Sequence, residues 1–154
     1  MAPSAITFKN AKIEVSTNAG SAYTDFSGAF SEVKVTGGDR KEGQIYDFSD
    51  DVAVLGQGKR EPRTVEMTVI YTETTTDPFL TLLPYHVAGS SIAVRITPKG
   101  TATGVGTVYQ YTSSTSGNVF KTLELPSGTA EKGDPTVVKA VIITPTFTTS
   151  TTTA

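Results

Sequence analysis

Apolar and polar side chains alternate along most of this chain. In the clearest run, from Arg63 to Thr72, Val65, Met67, Val69 and Tyr71 fall on one side and Thr64, Glu66, Thr68 and Ile70 on the other. A strand with one buried face has this pattern. The same period recurs more weakly at 6–15, 30–35, 43–48, 91–97, 107–112, 119–125 and 136–147, so about eight strands are predicted. Turn-forming residues punctuate them at Asn18-Ala19-Gly20, Gly37-Gly38-Asp39, Gly56-Gln57-Gly58, Gly104-Val105-Gly106, Ser116-Gly117-Asn118 and Lys132-Gly133-Asp134-Pro135, a spacing that suits a sandwich or barrel.

A single helix is predicted at about 77–88. Thr76 or Asp77 can cap its free N–H groups, Pro78 fits the first turn, and Phe79, Leu82 and Leu83 would face the core. Pro84 shortens or interrupts it and Gly89 ends it. Two polar segments, 37–43 and 48–63, are too long for simple turns, and loops of that length usually touch something. Residues 148–154 are almost all Thr and Ser and are expected to fray as a flexible tail. The fold class is therefore mainly β, a β-sandwich or partly open barrel with one short flanking helix.

Composition sharpens this picture. The chain has 154 residues, 27 of them threonine, and its 37% hydrophobic content suits one core with half-wet sheets. A net charge of −2 gives no field that would gather nucleic acid or an anionic membrane. The lack of cysteine removes disulfides, thiolate nucleophiles and sulfur-ligated metal together. The stretch Met1-Ala2-Pro3-Ser4 has neither a basic nor an apolar leader character, and no run of 18 apolar residues occurs, so a soluble, unexported product is expected.

No constellation for catalysis stands out. His86 is the one histidine; it has no G-x-S-x-G elbow and no clustered ligands, so it reads as a surface or packing residue. Asp47, Asp50 and Asp51 do not follow an EF-hand spacing and read as a solvated or partner-facing acidic patch. Lys59, Arg60 and Arg63 read as an ion-pairing surface. Gly100, Gly104 and Gly106 lead into the strand Thr107 to Thr112 and not into a helix, which argues for a hairpin over a phosphate cradle. Glu66, Glu73 and Glu124 could meet as a glycosidase-like pair only if the fold brought them together. The expectation is a structural or binding subunit that is not an enzyme and needs no cofactor.

The order of these elements resembles the major tail tube protein of long-tailed bacteriophages, a superfamily that includes the tubes of contractile tails and type VI secretion systems. The residues carrying the resemblance are the strand Arg63 to Thr72, the helix opening at Asp77-Pro78-Phe79, the strand Ser91 to Thr97, and the closing Leu125-Pro126-Ser127-Gly128 and Asp134-Pro135-Thr136-Val137. It implies one domain over 1–147 whose copies join into hexameric rings, stacked into a hollow tube through which DNA passes without specific binding. It further implies an N-terminal arm at 1–7 and an inter-subunit loop at 37–63, with Asp39, Arg40, Lys41, Asp47, Asp50, Asp51, Lys59, Arg60 and Arg63 as inter-ring contacts. Glu32, Lys34, Glu66, Thr68 and Glu73 would face a mildly repelling lumen. Implied partners are further copies and tape-measure, terminator and tail-tip proteins. The implied location is the virion tail, assembled in the host bacterial cytoplasm, without a membrane. An Ig-like or carbohydrate-binding sandwich is the alternative, since Tyr23, Tyr46, Tyr109 and Tyr111 suit that class too. A barrel enzyme is the remote third.

Overall fold

The computed structural model describes residues 8–46, 53–100, 106–112, 117–128, 133 and 135–152. Eleven strands and one helix lie within them: β1 (Lys12–Ser16), β2 (Thr24–Asp25), β3 (Phe30–Gly37), β4 (Arg40–Ile45), β5 (Val54–Arg60), β6 (Arg63–Ile70), α1 (Pro78–Val87), β7 (Ala93–Thr97), β8 (Gly106–Tyr111), β9 (Val119–Leu123), β10 (Val137–Thr144) and β11 (Thr148–Thr152). They form a five-stranded sheet in the order β11-β8-β7-β1-β2, a four-stranded sheet β3-β6-β10-β9, and a separate ribbon β4-β5. Every pairing is antiparallel. Neither of the two larger sheets closes on itself, and their inner faces pack as a sandwich.

The alternation in β6 explains its central place. Val65, Met67 and Val69 are fully buried, and cross-strand partners share a face, so Val138, Ala140 and Ile142 of β10 enter the same core. The other sheet contributes Val15, Val94, Ile96 and Tyr111, and α1 contributes Phe79 and Leu82. α1 packs beside β9, and His86 meets the Phe120 ring edge-on at 5.0 Å, a packing role.

The helix starts where the capping chemistry predicts. Asp77 is its N-cap and Pro78 opens the first turn. Asp77 is 1% exposed and its carboxylate collects four hydrogen bonds. Phe79 N donates to Oδ1 at 2.8 Å, while Thr72 N at 2.7 Å, Glu73 N at 2.8 Å and Thr72 Oγ1 at 3.2 Å donate to Oδ2. Burial pushes the carboxyl up, but the donors from Thr72, Phe79 and Glu73 outweigh it and hold Asp77 below its ordinary range. Pro84 stays inside the helix, which runs on until Ala88 caps it.

Two expectations are corrected. Residues 148–154 do not all fray: Thr148–Thr152 form β11 and pair with β8 from Gln110 to Gly106. An edge strand needs only backbone partners and β-branched side chains, so a wet threonine run serves. Phe147 anchors it by stacking on Tyr111 at 6.1 Å between ring centroids. Nor are the described residues of 37–63 an irregular loop, because Arg40–Ile45 and Val54–Arg60 pair as the ribbon β4-β5.

Candidate functional site

Two surfaces stand out, the ribbon and the outer face of the four-stranded sheet. The ribbon leaves the sheet between its neighbours β3 and β6. At the exit, Gly37 has φ +79°, and a Cβ there would lie 2.5 Å from the Pro62 carbonyl oxygen, so only glycine fits both the angle and the space. Gly37→Ala should lower stability by about 1 to 2 kcal/mol. Urea unfolding measures this, and an unchanged midpoint would show that the exit is not constrained.

Along the ribbon only Gly58 is half-buried; the other residues of β4 and β5 are exposed. A lone two-stranded ribbon is marginally stable in water. This one also exposes Ile45 at 67%, Tyr46 at 66%, Val54 at 55% and Leu55 at 70%. Ile45 pairs with Val54, and Gly43 with Gly56, so one face carries two aliphatic side chains beside a patch without side chains. The ribbon tip is therefore an exposed apolar surface of the kind that interaction sites present.

The charged residues predicted as inter-ring contacts divide into three groups. Asp39, Arg40, Lys41, Lys59 and Arg60 cluster at the ribbon's base, where Arg40 sits opposite Arg60. Arg40 Nη1 reaches the Gly58 carbonyl at 3.4 Å, and Lys41 Nζ lies 4.0 Å from Glu61. Like charges in register repel, and an acidic partner surface would relieve them. Arg63 is occupied within its own chain: Nη1 donates to the Gly37 carbonyl at 3.3 Å and the guanidinium lies 4.3 Å from the Phe147 ring centroid. It clamps the ribbon's base to the β10–β11 corner. Asp47, Asp50, Asp51 and the arm at 1–7 lie outside the described residues.

Of the residues predicted to line a lumen, four share the outer face of the four-stranded sheet. Glu32 pairs with Thr68 and Lys34 with Glu66. Glu73 does not join them. β6 ends at Ile70, and Glu73 sits in the turn before α1 at φ +55°, accepting the Tyr71 hydroxyl at 2.6 Å. Lys139 joins the face opposite Thr68. Acidic Glu32 and Glu66 are therefore set among basic Lys34 and Lys139, so this face carries mixed charge.

A further cluster, drawn from three separate segments of the sequence, was not visible there. Glu14, 5% exposed, lies on the outer side of the five-stranded sheet. Lys12 Nζ reaches its Oε1 at 2.7 Å and Arg95 Nε its Oε2 at 2.7 Å, with Asp25 3.9 Å from Lys12. Burial pushes Glu14 up, and the hydrogen bonds and charges of Arg95 and Lys12 bring it below its ordinary range. The Arg95 guanidinium lies 4.3 Å from the Tyr23 ring centroid. Each charge here has a partner, so the cluster ties β1, β2 and β7 together. Among the described residues no group of three or more His, Asp or Glu could hold a metal ion, and no helix is long and apolar enough to cross a membrane.

No protein-family model matches the sequence, and no curated protein is significantly similar to it. Solved structures do match, along nearly the whole chain. A chain of the six-fold symmetrised anti-feeding prophage baseplate aligns with a TM-score of 0.70 at 9% identity, covering 97% of both chains. A chain of the sheath/tube terminator of PVC, an extracellular contractile injection system, gives 0.67 at 14% identity, covering 97% of this chain and 99% of that one. A chain from the tail of an empty GTA particle, refined with C6 symmetry, gives 0.65 at 8% identity over 97% and 99%. The chain shares the fold of these chains from baseplate, sheath/tube terminator and tail assemblies.

Proposed function

We propose that the protein is a major tail tube subunit, a structural protein whose copies form hexameric rings stacked into a hollow tube for DNA. The ribbon carries this reading: among the described residues it is largely exposed, apolar near its tip and charged at its base. Such an element is stable when it packs on another subunit. β3 and β9 stand at the two edges of the four-stranded sheet, and edge pairing between copies would close that sheet around a ring and remove its exposed edges.

The outer face bearing Glu32, Lys34, Glu66 and Thr68 would then line the lumen. Its mixed charges offer DNA no run of cations to displace counterions, so the polymer slides without being held. The subunit works by assembly and not by catalysis, alongside tape-measure, terminator and tail-tip proteins, in a virion tail built in the host cytoplasm.

Electron microscopy of the purified protein at high concentration tests this. Hexameric rings or hollow tubes are expected. A persistent monomer would favour the sandwich-module alternative and end the tube reading.

A further inference from the structure

A second apolar surface lies along β3, the strand that leads into the ribbon. Where the two sheets part beside β3, a groove of about 320 Å³ opens between Val33 and Val35 on one side and Pro98 and Tyr109 on the other. Phe8 stands at it, 56% exposed. Groove and ribbon are complementary in two respects. The groove offers a projecting aromatic ring and a slot between half-buried valines. The ribbon offers the reverse: two projecting aliphatic side chains, Ile45 and Val54, beside the side-chain-free patch at Gly43 and Gly56. A concavity of about 510 Å³ opens over the ribbon, and a Cβ at either glycine would meet nothing within 4 Å but the carbonyl oxygen of the other, at 3.9 Å.

We propose that the ribbon of one copy docks in this groove of a second copy. Ile45 and Val54 enter between Val33, Val35 and Tyr109, and the Phe8 ring of the second copy seats over Gly43 and Gly56. Every chain carries both halves on different parts of its surface, so the contact is heterologous. Repetition gives a ring if the rotation closes and a filament if it does not. Apolar surface meets apolar surface on both sides, and the cations at the ribbon's base stay outside the groove in water. The proposal rests on the tube reading and names the surface that the ribbon finds.

The cysteine-free sequence makes the test direct. Two singly substituted chains of different tag mass, Val54→Cys and Val35→Cys, are mixed, assembled and mildly oxidised. A disulfide requires Cβ atoms within about 4.5 Å of each other, and the different masses separate the mixed dimer from like pairs. Val87→Cys replaces Val35→Cys in the control, because Val87 is a 77% exposed site on α1. The expected result is a mixed V54C–V35C dimer at least tenfold above the V54C–V87C dimer, with a smaller yield when Phe8→Ser is added to the Val35→Cys chain. Tubes that form without the V54C–V35C dimer overturn the groove assignment and leave the tube reading standing. If nothing assembles and nothing cross-links, both are overturned.

Discussion

Replacing Ile45 with serine and Val54 with aspartate in one chain, two cross-strand partners on the same face of the ribbon, will give a folded protein that does not polymerise. Both side chains are more than half exposed in the single chain, so their loss should change folding stability by less than about 0.5 kcal/mol. In an assembled contact each would be buried. Burying such a side chain is worth about 1.5 to 3 kcal/mol, so the pair contributes roughly 3 to 6 kcal/mol per contact, before the added cost of a desolvated carboxylate. The concentration needed for assembly should rise a hundredfold or more. Circular dichroism would report the fold and light scattering the assembly. Tubes forming at the wild-type concentration would show that the ribbon tip is not a contact.

Asp77→Ala acts on the fold itself. The substitution leaves the N–H groups of Thr72, Glu73 and Phe79 without their acceptor at a nearly inaccessible position. An N-cap alone is worth about 1 to 2 kcal/mol, and each hydrogen bond to a charged group about 1.5 to 3. With partial rehydration of the turn, a loss of about 3 to 5 kcal/mol is expected in urea unfolding, and Asp77→Asn should recover part of it. The pH dependence has a definite sign. Asp77 lies below its ordinary value in the folded chain, so its contribution is fully present above the unfolded value near 4. It is lost as pH falls through the lower folded value. The wild type should lose stability with acid over that window and the alanine variant should lose less. Parallel acid profiles for the two proteins would contradict the assigned role.

What the sequence shows plainly is what is encoded locally. The alternation in β6 gives its buried face residue by residue, and Thr76-Asp77-Pro78 announces a helix start because capping is decided within three or four positions. The failures have physical causes too. β11 escapes notice because an edge strand of threonine and serine needs no apolar face, only the exposed backbone of β8. Of the ribbon, the period at 43–48 catches the end of β4, while β5 looks like a loop because its residues are nearly all exposed and alternation has no buried face to report. Glu73 would fall, by the period of β6, on the side of Val65, Met67 and Val69 and not beside Glu66 and Thr68; the strand ends at Ile70, and Asp77 holds the backbone of Thr72 and Glu73 in a turn. The cluster of Glu14, Lys12, Arg95 and Asp25 depends on register between β1, β2 and β7, which no spacing within one segment reveals.

The ribbon's attachment has a mechanical consequence. It grows out of the same end of two adjacent strands, so tension applied to its tip pulls β3 and β6 together along their length. β6 is paired with β10 at eight consecutive positions, from Ile70 opposite Val137 to Arg63 opposite Thr144. A load in that direction shears the whole ladder at once, where a sideways load would open it one rung at a time. A filament joined through these ribbons would stretch stiffly, and under axial strain it should fail at the contacts between copies before any subunit unravels.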